Sequence, residues 1–355
     1  MDKKQSLELC AALSNAKGAP GFEDEVLTVL RAFGAELGDF REDSLRNLYL
    51  SRRGNKGSRP VVQLDAHTDE VAFMVQAIKP NGTLRFTTLG GWVNSNIPAH
   101  RVWVQTADGS YIPGVTASKP PHFMSETERR AQPVVEDMSI DIGASSREEV
   151  VESFHVRMAA PVVPDVTFTY DEKHDLMVGK AFDCRLGCAA ILKTLDVLSG
   201  EALNVDLAAA VSVQEEVGLR GAKTAAYAID PDLGIAVDVT DTGDVPDMKY
   251  GMAVKLGEGP TVKLLDSSVI CAPEVVALLS DTAKACAIPV QQEVLRAGGT
   301  DAGAIQLTRG GVPSGGVSIP TRYIHSACEM VRLTDVENAA RLLSLIHISE
   351  PTRPR

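Results

Sequence analysis

No apolar run in this sequence of 355 residues approaches the roughly 18 residues of a membrane-spanning helix. The N-terminus, Met1-Asp-Lys-Lys-Gln-Ser, also lacks the apolar stretch of a signal peptide. The six cysteines are scattered and form no Cys-x-x-Cys pair, so neither a disulfide framework nor a zinc-thiolate site is indicated. A reduced, cytoplasmic protein is expected. Positive charge is scarce: 35 Lys and Arg stand against 47 Asp and Glu, a formal net charge of −12. That balance argues against nucleic-acid backbones and anionic membranes as partners, and leaves small substrates open. There is no internal repeat and no low-complexity segment.

Apolar residues make up 44% of the chain, enough for a substantial core, and the length favours about two domains. Val26, Leu30, Phe33 and Leu37 have the spacing of an amphipathic helix over 23–37. Strand-like runs follow at 47–50 and 61–64, the second leading into Asp65-Ala-His67-Thr-Asp69. From Asp183 onward helix-like and strand-like stretches alternate: a helix to Gly200, a strand to Val213, a helix to Ala228 and a strand over 233–238. This pattern predicts an α/β fold with a mostly parallel central sheet flanked by helices.

Between about Phe73 and Val166 the character changes. Strand-like stretches at 83–88, 101–105 and 154–158 are separated by turn residues, and Ser146 with Glu149 matches a capping box opening one short helix over 147–154. We therefore expect a smaller β-rich domain, residues 73–166, inserted into a catalytic domain of residues 1–72 and 167–342. Residues 343–355, beginning Leu343-Ser-Leu-Ile-His-Ile-Ser, look like the translation of a sequencing-library adapter. They are expected to be a non-native tail in place of the native terminus, so His347 and Glu350 carry no functional weight.

The most informative feature is Glu215-Glu216, where the apolar run 207–213 meets the glycine turn Val217-Gly-Leu-Arg-Gly221. Adjacent carboxylates leaving a strand end diverge, so one can grip a cation while the other faces the attacking water. His67 follows a strand run with Asp69 two residues on, a spacing that lets a carboxylate orient an imidazole. Asp183 precedes a helix, where an ordinary N-cap is the competing reading. Asp238 and His325 stand at or beyond the ends of strand-like runs, where open α/β sheets bind ligands. Nitrogen and oxygen donors without thiolate suit zinc, cobalt or manganese.

Six motifs, in order, complete the picture: Asp65-Ala-His67-Thr-Asp69-Glu70, Gly179-Lys-Ala-Phe-Asp183-Cys-Arg-Leu-Gly-Cys188, Val213-Gln-Glu215-Glu216-Val-Gly-Leu-Arg-Gly221, Val237-Asp238-Val-Thr, Gly299-Thr-Asp-Ala-Gly303 and Ile319-Pro-Thr-Arg-Tyr-Ile-His325-Ser. Over almost the whole chain it resembles the co-catalytic di-metal aminopeptidases that assemble as tetrahedral dodecamers, a family including glutamyl aminopeptidases and proteins labelled endoglucanases. The resemblance implies a zinc-peptidase-like fold and two divalent ions per subunit. Asp183 would bridge them, His67 and Asp238 would complete one site, and Glu216 and His325 the other. Glu215 would be the general base and Asp69 would orient His67. Where many members carry a second acid after the bridging aspartate, this chain has Cys184, a small buried residue on its own reading.

The expected activity is removal of N-terminal residues from short peptides by a water shared between two ions, which lie roughly 3.5–4 Å apart in such centres. A homo-dodecamer is implied by the resemblance alone. The inserted domain would serve assembly or substrate access. The alternatives are a metal-dependent deacylase, a glycoside hydrolase, or a catalytically silent metal-binding assembly protein. The loop Ala297–Gly303 is either part of the substrate pocket or a turn needing positive φ. Arg220 either attracts an acidic side chain or is a solvated, locally paired arginine.

Overall fold

The computed structural model describes residues 1–246, 248 and 252–347. Its centre is an eight-stranded mixed sheet in the order Gly38–Glu42, Leu48–Arg52, Asp206–Ser212, Val61–His67, Leu233–Asp241, Ser314–Thr321, Thr261–Leu265, Gln291–Val294. The four middle strands, from Asp206–Ser212 to Ser314–Thr321, run parallel. Antiparallel pairings lie outside them, among the first three strands and between Thr261–Leu265 and Ser314–Thr321.

The middle strands are almost wholly buried, and so read as continuous apolar runs rather than alternations. Their side chains still divide between two faces. Leu207, Ala209 and Val211 join the main core, whereas Ala210 packs with Ala225 of the helix Arg220–Ile229. Helices Lys3–Asn15, Phe182–Val197 and Leu333–Leu345 pack together on the main-core side. Helix Asp24–Gly34 buries Val26 and Leu30, as the spacing predicts, together with Leu27; Phe33 is only partly buried, and the helix ends before Leu37, which reaches the core from beyond it.

Six strands between Ala72 and Pro164 close into a barrel. It has its own core, including Phe73, Phe86, Val102, Val104 and Ile140, with Phe73 stacked on Trp92 at 4.6 Å between ring centroids. The expected strand at 154–158 is not formed. The chain turns there, with left-handed backbone at His155 (φ 54°) and Ala159 (φ 63°), and the strand falls at Pro161–Pro164. The helix over Arg147–Glu152 is shorter than expected. Ser146 Oγ accepts from the Glu149 amide at 3.2 Å, but the Glu149 carboxylate turns to Ser145, so the box is half made. A second short helix, Glu126–Arg130, carries the complete box through Ser125 and Glu128.

The last helix continues to Leu345, past the point where the sequence becomes unusual, and Leu343 and Ile346 lie in the main core. Residues 348–355 of that stretch lie outside the described residues.

Candidate metal centre

All the candidate residues converge at the carboxyl edge of the parallel strands, the side on which an open α/β sheet builds its sites. His67 is the last residue of its strand, in register with Ser212 of the neighbouring strand, and Asp238 pairs with Ser318. Glu215 and Glu216 follow the strand Asp206–Ser212 through Gln214, whose φ is 57°. His325 follows Ser314–Thr321 in the same left-handed conformation (φ 58°). Asp183 is not a helix cap. The N-cap position is Ala181, and Asp183 sits at the irregular start of the helix Phe182–Val197.

Asp183 stands between two sets of donors. Its Oδ1 lies 3.0 Å from His67 Nε2 and its Oδ2 3.4 Å from His325 Nε2. Donor atoms of His67, Asp183, Cys184 and Asp238 lie within 4.8 Å of one another, as do those of Asp183, Glu216 and His325. His325 Nε2 is also 3.4 Å from Glu216 Oε2. Glu215 belongs to neither group, and its Oε2 lies 3.8 Å from His67 Nε2.

The role expected of Asp69 is divided between its main chain and its side chain. His67 Nδ1 is 3.1 Å from the Asp69 carbonyl oxygen, whereas the Asp69 carboxylate is 3.6 Å away, too far for a good hydrogen bond. A proton on Nδ1 would be held by that carbonyl, directing Nε2 towards Asp183. The Asp69 carboxylate instead accepts the amides of Glu215 at 2.9 Å and Glu216 at 3.1 Å. It therefore fixes the backbone from which the two glutamates diverge.

Electrostatics set this cluster apart from an ordinary polar patch. Burial pushes the Glu215 and Glu216 carboxyls well above the usual range, and neighbouring carboxylates push the same way. Asp238 is raised to about 6, by burial and then by Asp183. Burial alone would raise Asp183 too, but hydrogen bonds from His325 and His67 hold it below the ordinary range. Burial disfavours charge on His67, yet Glu215, Asp183 and Asp69 raise its pKa well above that of a free imidazole. Four crowded carboxyls thus face two imidazoles, and Glu216 Oε1 is buried without a hydrogen-bond partner. Divalent cations would satisfy this excess of buried oxygen donors, so the residues present fit a metal.

Cys184 lies closer to the cluster than its sequence position discloses. Its thiol donates to the Val237 carbonyl oxygen at 3.0 Å, and burial raises its pKa strongly. Two further acids escaped the sequence reading. Glu329 accepts the amides of Phe182 at 2.6 Å and Asp183 at 3.3 Å. Glu23 accepts those of Gly21 at 2.7 Å and Gln214 at 3.2 Å. No local motif marks their part in the site, because the site segments they brace, at Asp183 and Gln214, are remote in sequence.

A cavity of about 710 Å³ opens over the cluster. Gly91, Trp92 and Val93 reach it from the barrel, and Ala297, Gly298 and Gly299 from the opposite loop. That loop is therefore both wall and turn, since Gly298 has φ +79°. Its later residues face inward: Asp301 accepts Ser212 Oγ at 2.7 Å. Arg220 is exposed, donates to Gln214 Oε1 at 3.3 Å, and does not line the cavity. Asp241 does, open to the cavity while walled closely enough that burial raises its pKa. A separate concavity of about 430 Å³ on the barrel contains none of the candidate residues.

Comparison with known proteins agrees with this geometry. Residues 47–342 match the family model of the M42 glutamyl aminopeptidases. The chain is 35% identical to the glutamyl aminopeptidase of Lactococcus lactis, over 94% of each chain. It is 33% identical to the lysyl aminopeptidase of Pyrococcus furiosus, again over 94% of each. Among solved structures, the TET aminopeptidase of a marine-sediment thaumarchaeote superposes with a TM-score of 0.94 at 37% identity, covering 98% of this chain and 97% of that one. The Pyrococcus horikoshii TET1 peptidase, which can assemble into a tetrahedron or a large octahedral shell, superposes at 0.85 with 28% identity, over 96% and 99%. Motif order, site geometry and these matches agree: the chain belongs to the M42 glutamyl aminopeptidase family.

Proposed function

We propose that this metal-dependent aminopeptidase holds two divalent ions, zinc, cobalt or manganese, and releases N-terminal residues from short peptides. Asp183 would contribute to both ion sites, with His67 and Asp238 completing one and Glu216 and His325 the other. The observation that carries this reading is the divided orientation of Asp183, one carboxylate oxygen toward each histidine. Bound there, the ions would polarise the scissile carbonyl and acidify a water.

The chain's own groups supply the rest. Glu215 belongs to neither donor group and has a raised pKa, which suits a carboxylate that takes a proton from the attacking water at its Oε and delivers it to the departing amine. Asp69 keeps Glu215 and Glu216 in place through their amides and His67 through its own carbonyl. The acidic surroundings favour a substrate's protonated N-terminus. A glycosidase would need two free carboxyls flanking a sugar bond; the marked acids other than Glu215 are engaged as donors or braces, and the family match favours a peptidase.

Residues 1–72 and 167–342 would form the catalytic domain. The barrel, residues 73–166, would limit access through its overhanging Gly91–Val93 loop and take part in assembly. Self-association into a homo-dodecamer is the expected state, by analogy with the shells of the TET1 peptidase. A cytoplasmic location is supported by six free cysteines, four of them buried. Among the described residues no helix is long and apolar enough to cross a membrane.

The test is hydrolysis of free and N-acetylated aminoacyl anilides before and after chelation, with metal added back, by the native protein and Glu215→Gln. Only the free-amine substrates should be cleaved, and only with metal. The variant should keep its ions and lose roughly 10²–10⁴-fold in kcat. Cleavage of blocked substrates would turn the reading towards a deacylase, and an unimpaired variant would remove Glu215 as the base.

A further inference from the structure

Once the proposed ion ligands and base are assigned, one charged group among the described residues lining the cavity remains without a task. Asp241 ends the strand Leu233–Asp241, three residues beyond Asp238. In extended chain that separation puts their α-carbons about 10 Å apart. Asp241 belongs to neither donor group, and its carboxylate makes no hydrogen bond or ion pair among the described residues. Two ions would offset the ligand carboxylates and leave this one exposed in the cavity wall.

The rest of the lining sharpens the point. Among the described residues the cavity wall contains no lysine or arginine, and its two histidines, His67 and His325, are already engaged at the ion sites. Nearby arginines are directed elsewhere. Arg220 donates to Gln214, Arg322 pairs with Asp244 at 2.6 Å, and Arg296 is not part of the wall although Leu295 and Ala297 on either side of it are. Trp92, Val93, Leu295 and Ile324 supply apolar wall. A slot with apolar sides and a free carboxylate suits a side chain with an apolar stem and a cationic head. An acidic side chain would find like charge and, among the described residues of the wall, no lysine or arginine to pair with.

The substrate's α-amine does not account for this acid. It is attached to the carbon next to the scissile carbonyl and must stay close to the ion-binding cluster, whereas the α-carbon of Asp241 is set about 10 Å along the strand from that of Asp238. Resting on the aminopeptidase reading above, we propose that Asp241 is a specificity-determining residue that selects peptides with N-terminal lysine or arginine and disfavours N-terminal glutamate. The family's glutamyl name would then not describe this member's preference.

The experiment compares kcat/KM for lysyl, leucyl and glutamyl anilides in the metal-loaded native protein, Asp241→Asn and Asp241→Lys. The native enzyme should prefer lysyl to glutamyl substrate by at least about tenfold. Asp241→Asn should lower the lysyl-to-leucyl ratio by about tenfold or more, chiefly through KM. Asp241→Lys should invert the lysyl-to-glutamyl preference. A native preference for glutamate, ratios unchanged in both variants, or equal losses on lysyl and leucyl substrates would each overturn the inference while leaving an aminopeptidase. Failure of the metal-loaded native protein to cleave any free-amine substrate would overturn the aminopeptidase reading itself.

Discussion

Glu215 and Glu216 are neighbours in the chain with different surroundings, because the turn that carries them is held from three sides. Asp69 accepts both amides, Glu23 accepts the amide of Gln214, and the left-handed Gln214 (φ 57°) sends the two side chains apart. Glu216 comes within 3.4 Å of His325 while Glu215 remains on the His67 side. Glu23 is itself nearly inaccessible, and burial followed by the nearby Asp69 charge pushes its pKa up to about 7. An acid raised in the folded state keeps its proton where the unfolded chain has lost it. Its contribution to stability is therefore complete below the unfolded pKa, about 4.3, and is lost as pH rises toward 7. Glu23→Gln should remove that slope. The difference in unfolding free energy between native protein and variant, followed at fixed metal content, should change between about pH 4.5 and 7 and be flat below. A difference constant across this window would contradict the assignment.

At the level of elements, the ligand-bearing turns depend on unfavourable backbone and buried charge. Ala181, Gln214, Leu219, Tyr323 and His325 all have positive φ without being glycine, at a cost on the order of 1–3 kcal/mol each. The loop after His67 is tied to the N-terminal segment by a buried ionic group. Glu70 accepts Lys180 Nζ at 2.6 and 2.7 Å and Arg185 Nη2 at 2.9 Å, while Arg185 also donates to the carbonyl oxygens of Thr68 and Ala16. Burial brings the Lys180 pKa down to about 8 despite Glu70. Glu70→Ala leaves two buried cations without their carboxylate and should cost about 3–5 kcal/mol in denaturant unfolding; a loss below about 1 kcal/mol would show the group to be solvated.

These same elements show what sequence can disclose. The parallel strands and the residues at their ends were legible because burial on both faces leaves long apolar runs with polar residues at their tips. Glu23, Glu329 and the split role of Asp69 were not, because they depend on amides brought near by folding. The strand expected at 154–158 failed for a similar reason: its composition permits a strand, but tertiary packing places left-handed turns at His155 and Ala159.

At the scale of the whole molecule, two separately cored bodies meet at one site. The body built on the sheet supplies every proposed ligand, from strands, the loops that follow them and the start of the helix Phe182–Val197, and the barrel leans its Gly90–Gly91 turn against them. A β-carbon at Gly90 would lie 2.8 Å from Glu216 Oε2, and one at Gly91 would lie 3.0 Å from His325 Nδ1. This close approach makes the barrel part of the wall over the candidate metal centre. The central claim is that Asp183 joins two ion sites into one catalytic centre, and metal stoichiometry by equilibrium dialysis tests it most directly. The native chain should bind two zinc or cobalt ions, while Asp183→Ala should release at least one and lose turnover. A native chain that binds a single ion, or a variant that retains both, would contradict the account.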